Sequence, residues 1–363
     1  MAGLIAGLRR PLGGNYNLWR LVDSRFFPEE PSPSSPQIIC DIDKTYLETD
    51  FDTLLQIAKI AFEDAHDKIT VVGASEVLLA ARWGNMRDLS AAEDQRYPRP
   101  LHFVSSSPPQ LRKVLEEKFT LDGLDWSSDT FKNQAYNLRK GRFDQLKQQI
   151  AYKTGAILNL INNQPPGSHY VMLGDNAEAD SFIYLGVKLF IEKRLSAPKF
   201  IEYLQLMGVD PRVARLLLER FPRPPQGQVD AILIRRVKDV PFYDRSAITK
   251  PIVLFDNFIE VALIFALLGL LSGEDLREVL RTVYNRYALP REALAGVLRQ
   301  AEGLVNQQLS RDQLAAILAQ YVRDDSVEAS AGKSLRLPEA SELALLNEEE
   351  ILESCKRWLE FTS

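Results

Sequence analysis

The chain has 363 residues, 45% hydrophobic and 26% charged, the balance of a soluble globular protein long enough for one large domain and a smaller appendage. Its formal charge of −5 excludes a general nucleic-acid binder, which needs clustered excess Lys and Arg to meet phosphate backbones. Only two cysteines, Cys40 and Cys355, are present, which excludes a disulfide framework or a Cys-rich metal site and suits a reducing, cytoplasmic location.

The apolar run from Met1 to Leu8 is too short for a signal-peptide core, and Arg9 and Arg10 follow it rather than precede it. Residues 28 to 36 contain four prolines and suit neither helix nor central strand. Residues 1–36 are therefore expected to be a tail, with Leu18, Trp19, Leu21 and Val22 docking locally. Short apolar runs then recur at Gln37 to Asp41, Leu101 to Ser105, His169 to Leu173, Val229 to Val237 and Ile252 to Phe255, as buried parallel strands do. Amphipathic helical spacing lies between them, at Leu54, Ile57, Ala58 and Ala61, and at Leu111, Val114, Leu115 and Lys118. Strand and helix in alternation predict an α/β fold with a doubly wound parallel sheet, whose ligands bind at the carboxyl ends of the strands.

The stretch from about 192 to 226 reads as a helical insertion. The run Val261 to Leu271 would span roughly 16 Å as a helix, about half a bilayer core, and is expected to be buried rather than membrane-spanning. From Leu276 onward the pattern is helical throughout: Leu276, Val279, Leu280, Val283 and Tyr287; then Leu314, Ile317, Leu318 and Tyr321 behind Ser310; then Ile351, Leu352, Cys355, Trp358 and Leu359 behind Asn347. The predicted organisation is a tail (1–36), an α/β domain (37–275) and a helical C-terminal region (276–363).

Candidate chemistry falls in four places. In Asp41-Ile42-Asp43-Lys44-Thr45 the two carboxylates lie on one side of an extended chain, so one can attack a phosphoryl group while the other shuttles a proton. Ser105, in Phe103-Val104-Ser105-Ser106-Ser107-Pro108, can hold a phosphoryl oxygen or simply cap a helix. Lys153, expected at the start of a helix over Ala156 to Ile161, can offset charge on nucleophile and phosphate or lie exposed. In Gly174-Asp175-Asn176-Ala177-Glu178-Ala179-Asp180, hard oxygen ligands on a strand-to-helix turn suit Mg²⁺ or a plain helix cap. Taken together and in this order, the four favour a site.

These motifs resemble those of the haloacid dehalogenase (HAD) superfamily of aspartate-nucleophile phosphatases. The closer resemblance is to the catalytic domain of the actin-patch-type phosphatidate phosphatases and their bacterial relatives, over roughly residues 37 to 272. It is carried by His102 to Pro108, by Gly174 to Tyr184, by the strand Ala231 to Val237 and by Val253 to Asn257. The resemblance implies a HAD-like Rossmannoid fold and a phosphatase that passes through an aspartyl-phosphate. Asp41 would be the nucleophile, Asp43 the general acid/base, Thr45 the loop-orienting residue, Ser105 the phosphoryl ligand and Lys153 the charge-offsetting cation. Asp41, Asp43 (through its carbonyl) and Asp175 would hold Mg²⁺, with Asp180 as a further ligand or as support for the ligands. The implied partner is a phosphorylated substrate, either a phosphatidate-type lipid or a small molecule, with peripheral membrane contact in the first case and no nucleic acid. Arg139, Lys140, Arg142 and Lys147 can meet an anionic head group or form a solvated face. Two alternatives remain at this point, a hydrolase of soluble phosphate esters and a non-catalytic scaffold that keeps the fold. A cation-pump reading of Asp43-Lys44-Thr45 fails for want of membrane spans.

Overall fold

The computed structural model describes residues 18–27, 36–48, 68–84, 98–133, 142–237, 247–287 and 343–362. Its strands are β1 (Val22–Phe26), β2 (Gln37–Cys40), β3 (Leu101–Val104), β4 (Ser128–Lys132), β5 (Ser168–Asp175), β6 (Gly227–Arg235) and β7 (Ile252–Phe255). They form one seven-stranded sheet in the order β1-β4-β3-β2-β5-β6-β7. All neighbours pair in parallel except β1, which runs antiparallel to β4. The expected doubly wound α/β fold is what the chain adopts, and β2 and β5 flank the point where the winding reverses.

Nine helices accompany the sheet among the described residues: α1 (Ala74–Trp83), α2 (Arg112–Leu121), α3 (Arg142–Asn162), α4 (Asp180–Ile191), α5 (Ala197–Leu206), α6 (Pro211–Arg220), α7 (Phe258–Leu267), α8 (Gly273–Tyr287) and α9 (Glu348–Thr362). Alternate strand residues face opposite sides, and each side builds its own core. Ile38, Cys40, Phe103, Leu173 and Leu233 pack with α1, α2, α7 and α8. Ile39, Val104, Met172, Ile232 and Ile234 pack with α3, α4, α5, α6 and α9. Burying about 25 cal/mol for each Å² of apolar area, these two layers are the main source of stability.

Two expectations need correction. The folded part does not begin after residue 36. Leu18 and Leu21 are buried in a short 3₁₀ turn, and Val22–Phe26 forms the edge strand on β4. That edge is polar and so hard to read as a strand. It is held by Ser24 Oγ against Thr130 Oγ1 (2.9 Å) and by Arg112, which reaches Asp23 (2.9 Å) and Asp129 (2.7 Å). Nor does Lys153 open a helix. The helix starts at Arg142, because the apolar face recurs well before Ala156 through Ile150, Ala151 and Tyr152, and Lys153 lies in its interior.

The stretch between β5's helix and β6 is helical as expected, as α5 and α6. Asp210 caps α6 by accepting from Arg212 N (2.8 Å), with Pro211 at its first position. The apolar run from Val261 lies within buried α7 and the turns after it, and no helix among the described residues is long and apolar enough to cross a membrane. Helix α8 shares the first core through Leu276, Val279, Leu280 and Val283, and α9 shares the second through Ile351, Leu352, Cys355 and Trp358. Asn347 and Glu350 form a reciprocal capping box at the start of α9 (3.0 and 2.8 Å). The predicted helices at Leu54 to Ala61 and Leu314 to Tyr321 lie outside the described residues, as do Arg139 and Lys140 and the side chains of Arg142 and Lys147.

Candidate active site

Asp41 follows β2 directly, and its backbone N donates to Leu173 O of β5 (2.9 Å), which fixes it at the reversal point of the sheet. One turn later the chain bends through Lys44, a non-glycine residue with φ of 58°. This bend returns Thr45 toward Asp41, and Thr45 Oγ1 donates to Asp41 Oδ2 (3.4 Å). Arg235, at the end of β6, donates to Lys44 O (2.8 Å) and pairs with Glu48 (2.6 Å), holding the bend from the neighbouring side.

Asp43 points at the turn after β3. Its Oδ2 accepts from Ser105 Oγ (3.0 Å) and Ser107 Oγ (2.8 Å), while its Oδ1 is buried with no hydrogen-bond partner. Ser105 Oγ also accepts from Ser107 N (2.9 Å). The Ser105 hydroxyl is thus committed to Asp43 in this arrangement, and Ser107, which sequence reasoning did not select, shares the same task. Tyr152 OH donates to Ser105 O (2.9 Å) and ties this turn to α3.

Lys153 is fully buried in α3. Its Nζ lies 2.8 Å from Asp41 Oδ1 and 3.6 Å from Glu178 Oε2, and it also pairs with Asp180 Oδ1. The helical position therefore still brings it among the acids. Gly174 makes the last part of this cluster possible. A Cβ there would fall 2.4 Å from Asp180 Oδ2, so only glycine lets that carboxylate lie against the strand. Asp175 Oδ1 accepts from Ala177 N (2.7 Å) and Glu178 N (3.0 Å), which folds the turn, and Asp175 Oδ2 is buried without a hydrogen-bond partner. Asn176 Oδ1 accepts from Val237 N (2.8 Å) and closes the turn against the end of β6.

Five carboxylates, Asp41, Asp43, Asp175, Glu178 and Asp180, thus surround one paired lysine. Burial raises Asp41 well above the carboxylate range, against the pull of Lys153. Burial also raises Asp43 to about 7, aided by Glu178 and opposed by its two serine hydroxyls. Asp175 rises to about 8, first by burial and then by the neighbouring charges of Asp180 and Glu178. Burial acts to discharge Lys153, but Asp180 and Asp41 more than offset it and hold the ammonium well above its usual value. The surplus is negative and the donors are all hard oxygens, a set that fits a divalent cation such as Mg²⁺. Candidate ligand oxygens of Asp41, Asp175 and Asp180 lie within 4.8 Å of one another. Asp43 is not among these three, and Asp180 is shared with Lys153.

Residues 36–196 match the family described as phosphatidate phosphatase APP1, catalytic domain. This segment is therefore similar to the catalytic domain of that family. The match covers somewhat under half of the chain, but it spans β2 to the end of α4 and so every candidate site residue. The HAD-like placement read from the motifs is consistent with it. The segments resembling the family at Ala231 to Val237 and Val253 to Asn257 lie beyond the matched residues. No curated protein and no solved structure matches the chain. The APP1 match supports a phosphatase of the phosphatidate phosphatase type.

Proposed function

We propose that the protein is a Mg²⁺-dependent phosphatase that hydrolyses a phosphate monoester of the phosphatidate type through an aspartyl-phosphate on Asp41. One observation carries this reading: Asp41, Asp43, Lys153, Asp175 and Asp180 converge at the reversal point of the sheet, within the segment that matches the APP1 catalytic domain. In the first step a carboxylate oxygen of Asp41 forms a bond to phosphorus, and the ester P–O bond breaks. Asp43 gives its proton to the departing alkoxide oxygen. In the second step Asp43 takes a proton from water, the water oxygen attacks phosphorus, and the bond to Asp41 breaks to release inorganic phosphate.

Each residue's surroundings suit its part. Lys153 and Thr45 hold the two oxygens of Asp41 and so fix its direction of attack. Burial places Asp43 near 7, where it can both give and accept a proton at neutral pH. Ser105 and Ser107 hold Asp43 from one side and leave its other oxygen directed elsewhere. Asp41, Asp175 and Asp180, with the Asp43 carbonyl, would hold Mg²⁺, whose charge would neutralise the phosphoryl oxygens. A lipid substrate would be reached through peripheral contact from the cytoplasmic side.

The test is phosphate release with and without Mg²⁺, using phosphatidate in mixed micelles alongside soluble sugar and nucleotide phosphates. Mg²⁺-dependent turnover of phosphatidate, abolished in Asp41→Asn, is expected. Turnover of soluble esters alone would replace the lipid reading, and no turnover of any ester would leave a scaffold.

A further inference from the structure

Lys153 is fully engaged: its charge is divided among Asp41, Asp180 and Glu178. A phosphate monoester brings up to two negative charges of its own into the same space. The other well-buried lysines of the sheet and its helices have carboxylate partners too. Lys118 pairs with Asp122 (2.8 Å), and Lys188 pairs with Glu192 (2.8 Å) and donates to Val229 O (2.7 Å).

Lys132 differs. It is the last residue of β4 and only 5% exposed, yet among the described residues its ammonium forms no ion pair and no hydrogen bond. Its backbone N donates to Ser107 O (3.0 Å), which sets it level with the turn that holds Asp43. Phe131 faces the first core, so alternation turns Lys132 to the opposite side of the sheet, the side of α3. There its Nζ lies 5.9 Å from the centre of the Tyr152 ring, on the residue next to Lys153. Burial lowers its pKa to about 8, and the charge of Glu178 across the site partly opposes this. An unpaired buried ammonium costs stability, and the aromatic face of Tyr152 offsets only part of that.

Resting on the phosphatase reading of the site, we infer that Lys132 is a second phosphoryl-binding cation, which takes a non-bridging oxygen of the substrate and favours the dianionic monoester. Lys153 then serves the nucleophile and Lys132 serves the phosphate. No such role was legible in Ser128-Asp129-Thr130-Phe131-Lys132, which has no motif around it.

The test compares full-length Lys132→Met, Lys132→Arg and wild type, all with Mg²⁺. Inorganic phosphate is the probe, read by calorimetry and as a competitive inhibitor, together with kcat, KM and Tm. Lys132→Met is expected to weaken phosphate binding and raise KM by about tenfold or more, with a smaller change in kcat. Its Tm should equal or exceed that of wild type, because an unpaired buried charge has been removed. Lys132→Arg should keep most of the affinity. A lower Tm with phosphate affinity within about twofold of wild type would mark Lys132 as a packing residue and overturn the inference. The two readings fail separately. Weakened phosphate binding in a protein that turns over no ester would keep the anion site and sink the phosphatase. Normal phosphate binding by Lys132→Met in an active enzyme would do the reverse.

Discussion

At the amino ends of β2, β3, β4 and β5 a row of neutral side chains crosses the sheet. His102 lies 2.7 Å from Ser128 Oγ and 2.9 Å from Gln37 Oε1, and Gln37 Nε2 donates to Ser168 Oγ (3.3 Å). At the carboxyl ends of β2, β3 and β5 the buried groups are charged and unevenly matched. Five carboxylates share this end, only three of them paired with Lys153, and oxygens of Asp43 and Asp175 remain without hydrogen bonds. Burial is similar at the two ends, so exposure does not separate them. What separates them is satisfaction. A closed neutral network holds strands together, whereas an open charged one costs stability unless ligands complete it. The first end is built for the fold, and the second is built for what binds there.

Substitutions at the two ends should therefore fail in opposite ways. Asp41→Asn should lower kcat by about 10³-fold or more while leaving Tm unchanged or raised, because it removes the proposed nucleophile and also a crowded buried charge. Steady-state phosphate release and a thermal melt check both halves. If Tm collapsed along with activity, the acids would be structural and the contrast would fail. Asp175→Asn should raise the Mg²⁺ concentration needed for half-maximal activity by about tenfold or more, read from a metal titration.

The neutral end should show the converse. His102→Ala leaves Gln37 and Ser128 without their partner and should cost about 1–3 kcal/mol in urea unfolding, with kcat close to wild type. Burial holds His102 near a pKa of about 3, well below its ordinary 6.5. Below about pH 6.5 the unfolded chain therefore takes up a proton that the folded chain refuses until about pH 3. Its contribution to stability is present above 6.5 and is lost as pH falls through that window, by at most about 1.4 kcal/mol per pH unit. The difference between wild type and His102→Ala in acid should carry this slope. Unfolding curves of equal pH dependence would show that His102 does not stay neutral.

The smallest effect expected is at the serines. Their hydroxyls lower the pKa of Asp43 from where burial would put it. Ser105→Ala or Ser107→Ala should each move the limb of the pH–rate profile that belongs to Asp43 toward higher pH, and the double variant should move it further. A profile unmoved in the double variant would detach Asp43 from that limb.

These two ends were not equally legible in the sequence. β2, β3, β5, β6 and β7 are apolar runs and could be read directly. β4 could not, because Ser128, Asp129 and Thr130 look like a loop until Arg112, His102 and Ser24 supply their partners. The same holds for β1, whose alternation is masked by Asp23 and Arg25. Asp41, Asp43, Asp175 and Asp180 stood out through spacing along single strand ends. Lys153 was picked by order along the chain, and its placement deep in α3 emerged only from the apolar face that precedes it. Ser107, Tyr152, Glu178 and Lys132 meet across elements far apart in sequence, and no local pattern records such meetings.

The central claim is tested most directly by following phosphate release from phosphatidate in mixed micelles, with Mg²⁺ added and withheld, for wild type and Asp41→Asn. The account predicts release by wild type only, and only with Mg²⁺. Undiminished release by Asp41→Asn, or release by wild type that ignores Mg²⁺, would contradict it.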